Sequence, residues 1–232
     1  MFLAKASCLE SDGNALYKLS CGLTQNVVSG MTVINLSFGA CGFLGIYHLG
    51  AVRAFVHHGE KLLGSVKACA GASAGALVAA VLITAPDKIQ RCKEFTYSFA
   101  DDVRQQRFGV LTPGHNFMLT LREGIDEILP GDAHSLASNR LHVAITHATS
   151  GKNHIISKFA SREELIKALL ASCFIPIYAG FQAVEFQGQL SMENIKRLSQ
   201  ALFPPDSAAM HSLCQEGFDD AVKFLKKEAW MS

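Results

Sequence analysis

Val66-Lys67-Ala68-Cys69-Ala70-Gly71-Ala72-Ser73-Ala74-Gly75-Ala76-Leu77-Val78-Ala79-Ala80-Val81-Leu82-Ile83 is the stretch whose reading decides the fold. The short run from Val66 to Ala70 predicts a strand, and the Ala- and Leu-rich run from Ala76 to Ile83 predicts a helix. Between them stands one serine, with Ala72 and Ala74 beside it and Gly71 and Gly75 two positions to either side. A strand-to-helix turn of this kind is so sharp that larger side chains at the outer positions collide with the adjacent strand and helix. It also sets Ser73 at a helix N-terminus, where unpaired N–H groups and the helix dipole favour negative charge. That setting suits a serine attacking a carbonyl. A Gly/Ala-rich close contact between helix and sheet gives the same letters without the chemistry, so the motif needs support from elsewhere in the chain.

A second unit of the same form precedes it. Thr32 to Phe38 predicts a strand, Gly39-Ala40-Cys41-Gly42-Phe43-Leu44-Gly45 a loop, and Ile46 to about His57 a helix. In a hydrolase this loop aims the N–H groups of Gly42 and Phe43 at the carbonyl oxygen beside Ser73, completing an oxyanion hole. In a dinucleotide-binding protein it cradles a pyrophosphate. The second use asks for a full G-x-G-x-x-G and an acid closing the second strand. Here Ala40 replaces the first glycine and the strand runs into Ala70-Gly71.

Cys41 to Gly50, with the Gly71 to Gly75 turn, resembles the patatin-like phospholipase family. The likeness extends through Phe95-Thr96-Tyr97, Phe108-Gly109, Thr112-Pro113-Gly114, Asn139-Arg140-Leu141-His142-Val143 and Ala171 to Gly180, covering Thr32 to Gln189. It resumes at Asn194 and takes in Gln200-Ala201-Leu202-Phe203-Pro204-Pro205. The resemblance implies an α/β three-layer sandwich with a mixed, mostly parallel sheet. It also implies a serine lipid acyl hydrolase acting on triacylglycerol, phospholipid or retinyl esters through a Ser and Asp pair, with no cofactor and no metal. Ser73 is then the nucleophile, Cys41, Gly42 and Phe43 line the oxyanion hole, and Gly71, Ala72, Ala74 and Gly75 form the nucleophile elbow. Leu44 stands where plant patatins carry a basic residue.

One departure is serious. Phe181 to Gln189 reads as a strand and a hairpin turn, after which the family's return strand leads into Asp-Gly-Gly or Asp-Gly-Ala, whose Asp is the base. Leu190-Ser191-Met192-Glu193 follows instead, and neither tripeptide occurs in the 232 residues. The one Asp-Gly, Asp12-Gly13, precedes the first strand. We therefore expect an internal deletion near 189/190, a general base left unidentified, and impaired activity. The deletion is also expected to expose sheet edges and apolar faces, which favours aggregation. A substitute triad through Asp132, His134, His142, His147 or His154 is formally open. A non-catalytic lipid-binding or regulatory isoform is the alternative, and a product that never folds stably is the third.

Residues 1–31 are expected to form a disordered N-terminal extension, with weak mitochondrial targeting as its second reading. Residues 32–203 form the patatin-like domain and 204–232 a C-terminal helical segment. Phe218, Val222, Leu225 and Trp230 fall near one helix face, expected to cover the sheet or to touch lipid, and Gly217 reads as a break. The 21 Lys and Arg balance 20 Asp and Glu, a net charge of +1 that gives no nucleic-acid footprint. Seven cysteines without a Cys-x-x-Cys pair argue for a reducing compartment and against zinc. Ala68 to Pro86 carries no charge, yet its glycines favour a buried strand and helix over a membrane span. The expected setting is cytoplasmic, with peripheral attachment to lipid droplets or membranes and lipid esters as partners.

Overall fold

The computed structural model describes residues 21–28, 31–106, 117–146, 152–174 and 203–231. Among these described residues five strands pair in chain order into one sheet: β1 (Cys21–Val28), β2 (Met31–Phe38), β3 (Val66–Ala72), β4 (Leu141–Thr146) and β5 (Asn153–Ile156). β2, β3 and β4 run parallel, and β1 and β5 fold back antiparallel on either side of them. In β2 the side chains of Ile34, Leu36 and Phe38 are each 1% exposed while Ser37 between them faces outward, the two-residue period of a strand with one buried face.

Helices α1 (Gly45–His58) and α2 (Glu60–Ser65) carry the chain from β2 to β3. Between β3 and β4 come α3 (Ala74–Thr84), a 3-10 turn at Pro86–Lys88, α4 (Ile89–Gln105), α5 (Phe117–Ile128) and α6 (Ala133–Ala137). Helix α7 (Arg162–Cys173) follows β5, and α8 (Ser207–Lys227) ends the described chain. The result is an α/β sandwich. Right-handed crossovers between adjacent parallel strands put α1 and α3 on one face of the sheet, and the two helices touch. Helix α3 is buried almost all round, Ala76 and Val78 to Thr84 among its residues, which is the environment an uncharged helix requires. Ser161 caps α7 by accepting from the Glu164 N–H at 3.2 Å, while the Glu164 carboxylate accepts from the Ala160 N–H at 2.7 Å. The Arg162 guanidinium then donates to the carbonyls of Leu129 (2.9 Å) and Pro130 (3.1 Å), fixing α7 against the end of α5.

Three expectations are corrected. Cys21–Val28 is not part of a structureless extension: it pairs along its whole length with Met31–Phe38. Its sequence signal is the Ser29-Gly30 turn dipeptide, which sets Val27-Val28 off from the run that follows. Gly217 does not break α8, which is continuous from Ser207 to Lys227. It is where α8 crosses α1 backbone to backbone. A Cβ on Gly217 would stand 2.9 Å from the Tyr47 carbonyl carbon, and one on Gly50 would stand 2.9 Å from that of Cys214. Finally, α8 packs on α1 rather than on the sheet: Met210, Cys214, Gly217, Ala221 and Leu225 are buried in that contact, and of the face expected from sequence Phe218, Val222 and Trp230 are half-buried and Leu225 buried. The Tyr47 hydroxyl donates to Asp220 at 2.9 Å and the Arg53 guanidinium lies 4.6 Å over the Phe218 ring, so the same contact carries polar locks. The strand and hairpin at 181–189, the junction at 189/190 and the helix expected from Met192 lie outside the described residues.

Two glycines should respond oppositely to the same substitution. Gly217→Ala forces a Cβ into the α1 backbone and is expected to cost about 2–3 kcal/mol, lowering Tm by roughly 5–10 °C. Gly64→Ala, in α2 with open space around its Cα, is expected to gain up to about 1 kcal/mol from helix propensity. Thermal melts of the two variants beside the parent chain check both signs.

Candidate active site

Strand β3 ends at Ala72 and α3 begins at Ala74, leaving Ser73 to make the whole turn at φ 52°, ψ −130°. An L-residue rarely occupies that region and holds it only when the surroundings impose it. The two glycines are required by backbone atoms. A Cβ on Gly71 would lie 2.5 Å from the Ala76 nitrogen, and one on Gly75 would lie 2.5 Å from the Gly39 oxygen, with the Phe38 carbonyl nearer still. Backbone cannot move aside as a flexible side chain can, so no other residue fits at either position.

The loop after β2 runs past the same point. Gly42 has φ 52°, and Gly42–Leu44 forms a 3-10 turn leading into α1. A Cβ on Gly45 would stand 3.1 Å from the Ala74 Cβ and 3.6 Å from the Cys41 sulfur, so the N-termini of α1 and α3 lie side by side. The leading N–H groups of a helix have no partner within it. Ala74 and Gly75 supply those of α3, and Gly42 and Phe43 those of the 3-10 turn. The Phe43 ring is anchored against Phe99, 5.7 Å between centroids, and Phe117 at 6.4 Å. His48 secures the start of the loop. Fully buried, it places Nε2 3.2 Å from the Gly39 carbonyl oxygen, which assigns the proton to Nε2. Its buried Nδ1 has no hydrogen-bond partner among the described residues. Burial pushes the imidazole down to about 4, so it is neutral at physiological pH.

The third wall is the last turn of α7. Ser172 accepts a hydrogen bond from the Ser73 N–H at 2.8 Å and donates one to the Ala144 carbonyl at 2.8 Å. Cys173 lies beside Ser73, and its charge would oppose ionisation of Cys41. Burial pushes both thiols up to about 12. They are protonated at neutral pH, and Cys173 therefore cannot take the serine's proton. Neither Ser172 nor Cys173 was singled out from sequence as a site residue, and His48 read as one of nine histidines.

The residues weighed as substitute bases are dispersed. Asp132 and His154 are exposed, on the turn before α6 and on β5. His134 sits in α6, half-buried. His142 pairs in register with Ala70, two residues and roughly 6–7 Å back along the strand from the end where Ser73 follows. His147 lies outside the described residues. Among the described residues no group of His, Cys, Asp and Glu is placed to hold a metal ion, and no helix is long and apolar enough to cross a membrane.

The model of the patatin-like phospholipase family matches residues 36–196, which include the end of β2, the loop, the elbow and Ser172. Human patatin-like phospholipase domain-containing protein 4 is 50% identical over 251 residues, a match that takes in 86% of this chain and 99% of that protein. The chain belongs to the patatin-like phospholipase family. Rat patatin-like phospholipase domain-containing protein 2 is 29% identical over 249 residues (85% of this chain, 52% of that protein). Human omega-hydroxyceramide transacylase is 29% identical over 244 residues (83% and 46%). This patatin-like chain thus spans about half the length of those two relatives. The match to the first of the three human and rat proteins has a further feature. Since 86% of 232 residues is about 200, about 50 of the 251 aligned positions have no counterpart in this chain.

Two outcomes follow for this patatin-like site. The neutral His48 contributes stability that is complete above its unfolded value of 6.5 and is lost as pH falls toward about 4, because only the unfolded chain takes up the proton in that window. The loss amounts to about 3 kcal/mol. Urea titrations between pH 7 and pH 4 should show it, and His48→Gln should flatten the slope. Ser73→Gly relieves the positive φ and is expected to stabilise the fold by about 1 kcal/mol. A higher Tm than the parent chain is the expected reading.

Proposed function

We propose that this chain is a serine lipid acyl hydrolase by construction, with Ser73 Oγ as the nucleophile and lipid esters (triacylglycerol, phospholipid or retinyl ester) as the substrate class. The observation that carries it is the strained Ser73 turn, closed by Gly71 and Gly75, beside a second helix N-terminus. Attack by Ser73 Oγ on an acyl carbonyl carbon generates a tetrahedral oxyanion. The N–H groups of Ala74, Gly42 and Phe43 are its donors, with Cys41 lining the hole. The alcohol leaves, the acyl group stays on Ser73, and water releases it as the acid.

The proton is the weak point. The sequence holds no Asp-Gly-Gly or Asp-Gly-Ala, and the shortfall of aligned positions supports the view that the segment bearing the base is missing. Without a base, turnover falls by about 10⁴–10⁶ in comparable hydrolases, leaving what the oxyanion donors and binding supply. The chain therefore reads as a crippled hydrolase. The same absence favours a second reading, a non-catalytic lipid-binding or regulatory isoform. Either acts in the cytoplasm, at the surface of lipid droplets or membranes.

A fluorophosphonate probe, read by intact mass, separates the two. Labelling of the parent chain that disappears in Ser73→Ala shows an activated serine. No labelling, while a relative carrying the Asp-Gly-Gly motif reacts, leaves the binding role, and a cooperative thermal transition then distinguishes a folded isoform from a chain that does not fold.

A further inference from the structure

We infer that Ser172 is a positioning residue for the nucleophile: its hydroxyl, bonded to both the Ser73 N–H and the Ala144 carbonyl, ties the strained turn to the end of β4. The inference rests on the reading of Ser73 as nucleophile and adds a residue to its machinery.

A serine hydroxyl has one proton and two lone pairs. Ser172 spends its proton on the Ala144 oxygen at 2.8 Å, so what it presents to Ser73 is a lone pair, and the Ser73 N–H donates to it at 2.8 Å. The direction of both bonds is therefore fixed. The two serines are 99 positions apart in sequence and the bridge to Ala144 spans 28, so one hydroxyl joins the elbow, α7 and β4. α7 itself is held at its other end by the Ser161 cap and by Arg162 on the carbonyls of Leu129 and Pro130. The clamp is rigid at its base.

Two consequences define the role. A turn at φ 52°, ψ −130° relaxes unless something outside it fixes the peptide plane. The plane that Ser172 fixes is the one preceding Ser73, and rotating it swings Cβ and Oγ away from the donors of Gly42 and Phe43. Second, the Ser73 N–H is occupied and takes no part in the oxyanion hole, so the donor from the elbow is the N–H of Ala74. Truncating Ser172 removes no group that touches the ester, yet it releases the atom that aims the attack.

The test uses the full chain and four variants, Ser172→Ala, Ser172→Cys, Ser172→Thr and Ser73→Ala, in two measurements. One is the maximal labelling rate and half-saturating concentration of a fluorophosphonate. The other is amide hydrogen exchange of the peptide containing Ser73. In Ser172→Ala the maximal rate is expected to fall roughly 10–100-fold with the half-saturating concentration unchanged within about two-fold. Exchange at the turn should speed by at least about ten-fold. Ser172→Thr, which keeps the hydroxyl, restores both, and Ser172→Cys, similar in size with a weak acceptor, falls between. Ser172→Ala that labels at the parent rate, or leaves exchange at the turn unchanged, overturns the inference. A parent chain that is not labelled sinks the hydrolase reading instead, and exchange in the Ala and Thr variants still decides whether Ser172 holds the turn.

Discussion

Gly75 seated against the carbonyls of Phe38 and Gly39 is the contact on which the site depends. It sets the closest approach of α3 to the end of β2, and no side chain can enter it. Because the start of α3 is pressed there, Ala74 meets Gly45 and the N-termini of α1 and α3 converge on Ser73. One missing Cβ thus gathers two sets of unpaired N–H groups around one hydroxyl. His48, hydrogen-bonded to the same Gly39 carbonyl, holds that end of the contact in place.

The side chains that meet at this point share a second property. Cys41, Cys173 and His48 are all held neutral by burial, which opposes charge on each more strongly than any neighbour favours it. The stabilising field around Ser73 then comes from backbone dipoles fixed by the fold, and these need no reorganisation when an oxyanion forms. On the proposed reading such a site separates two tasks that hydrolases combine: the described residues offer dipoles for negative charge and no group placed to take the serine's proton. The first falls, on that reading, to the front half of the chain, and the sequence lacks the Asp-Gly-Gly or Asp-Gly-Ala motif that the family resemblance gives the second.

Legibility followed the scale of the constraint. Gly71 and Gly75 were readable because their spacing about the serine marks the sharp turn by itself; the atoms Gly71 faces belong to Gly75 and Ala76, while the Phe38 and Gly39 carbonyls that Gly75 faces come from an earlier part of the chain. Gly217 was misread because glycine inside a helix signals either a break or a close crossing, and only the partner helix, with Tyr47 at the contact, decides between them. β1 was passed over because its run lacks an apolar face strong enough to outweigh the polar residues before it. Ser172 and His48 gave no signal: a serine in a last helical turn and a histidine in an apolar helix are ordinary letters until tertiary structure brings the Ser73 N–H and the Gly39 carbonyl to them. The bridge from residue 73 to residue 172 is the kind of relation that a single sequence leaves unwritten.

The α1–α8 crossing has a temporal meaning as well. Tyr47 and Asp220, joined across it, are 173 positions apart, so on a ribosome adding about 5–20 residues per second α1 waits roughly 10–35 s for its cover. Throughout that interval Gly50 and its apolar neighbours on α1 are an open groove in a nascent chain. A surface left open during synthesis is thus the one that, once α8 arrives, is closed so tightly that only glycines fit between the backbones.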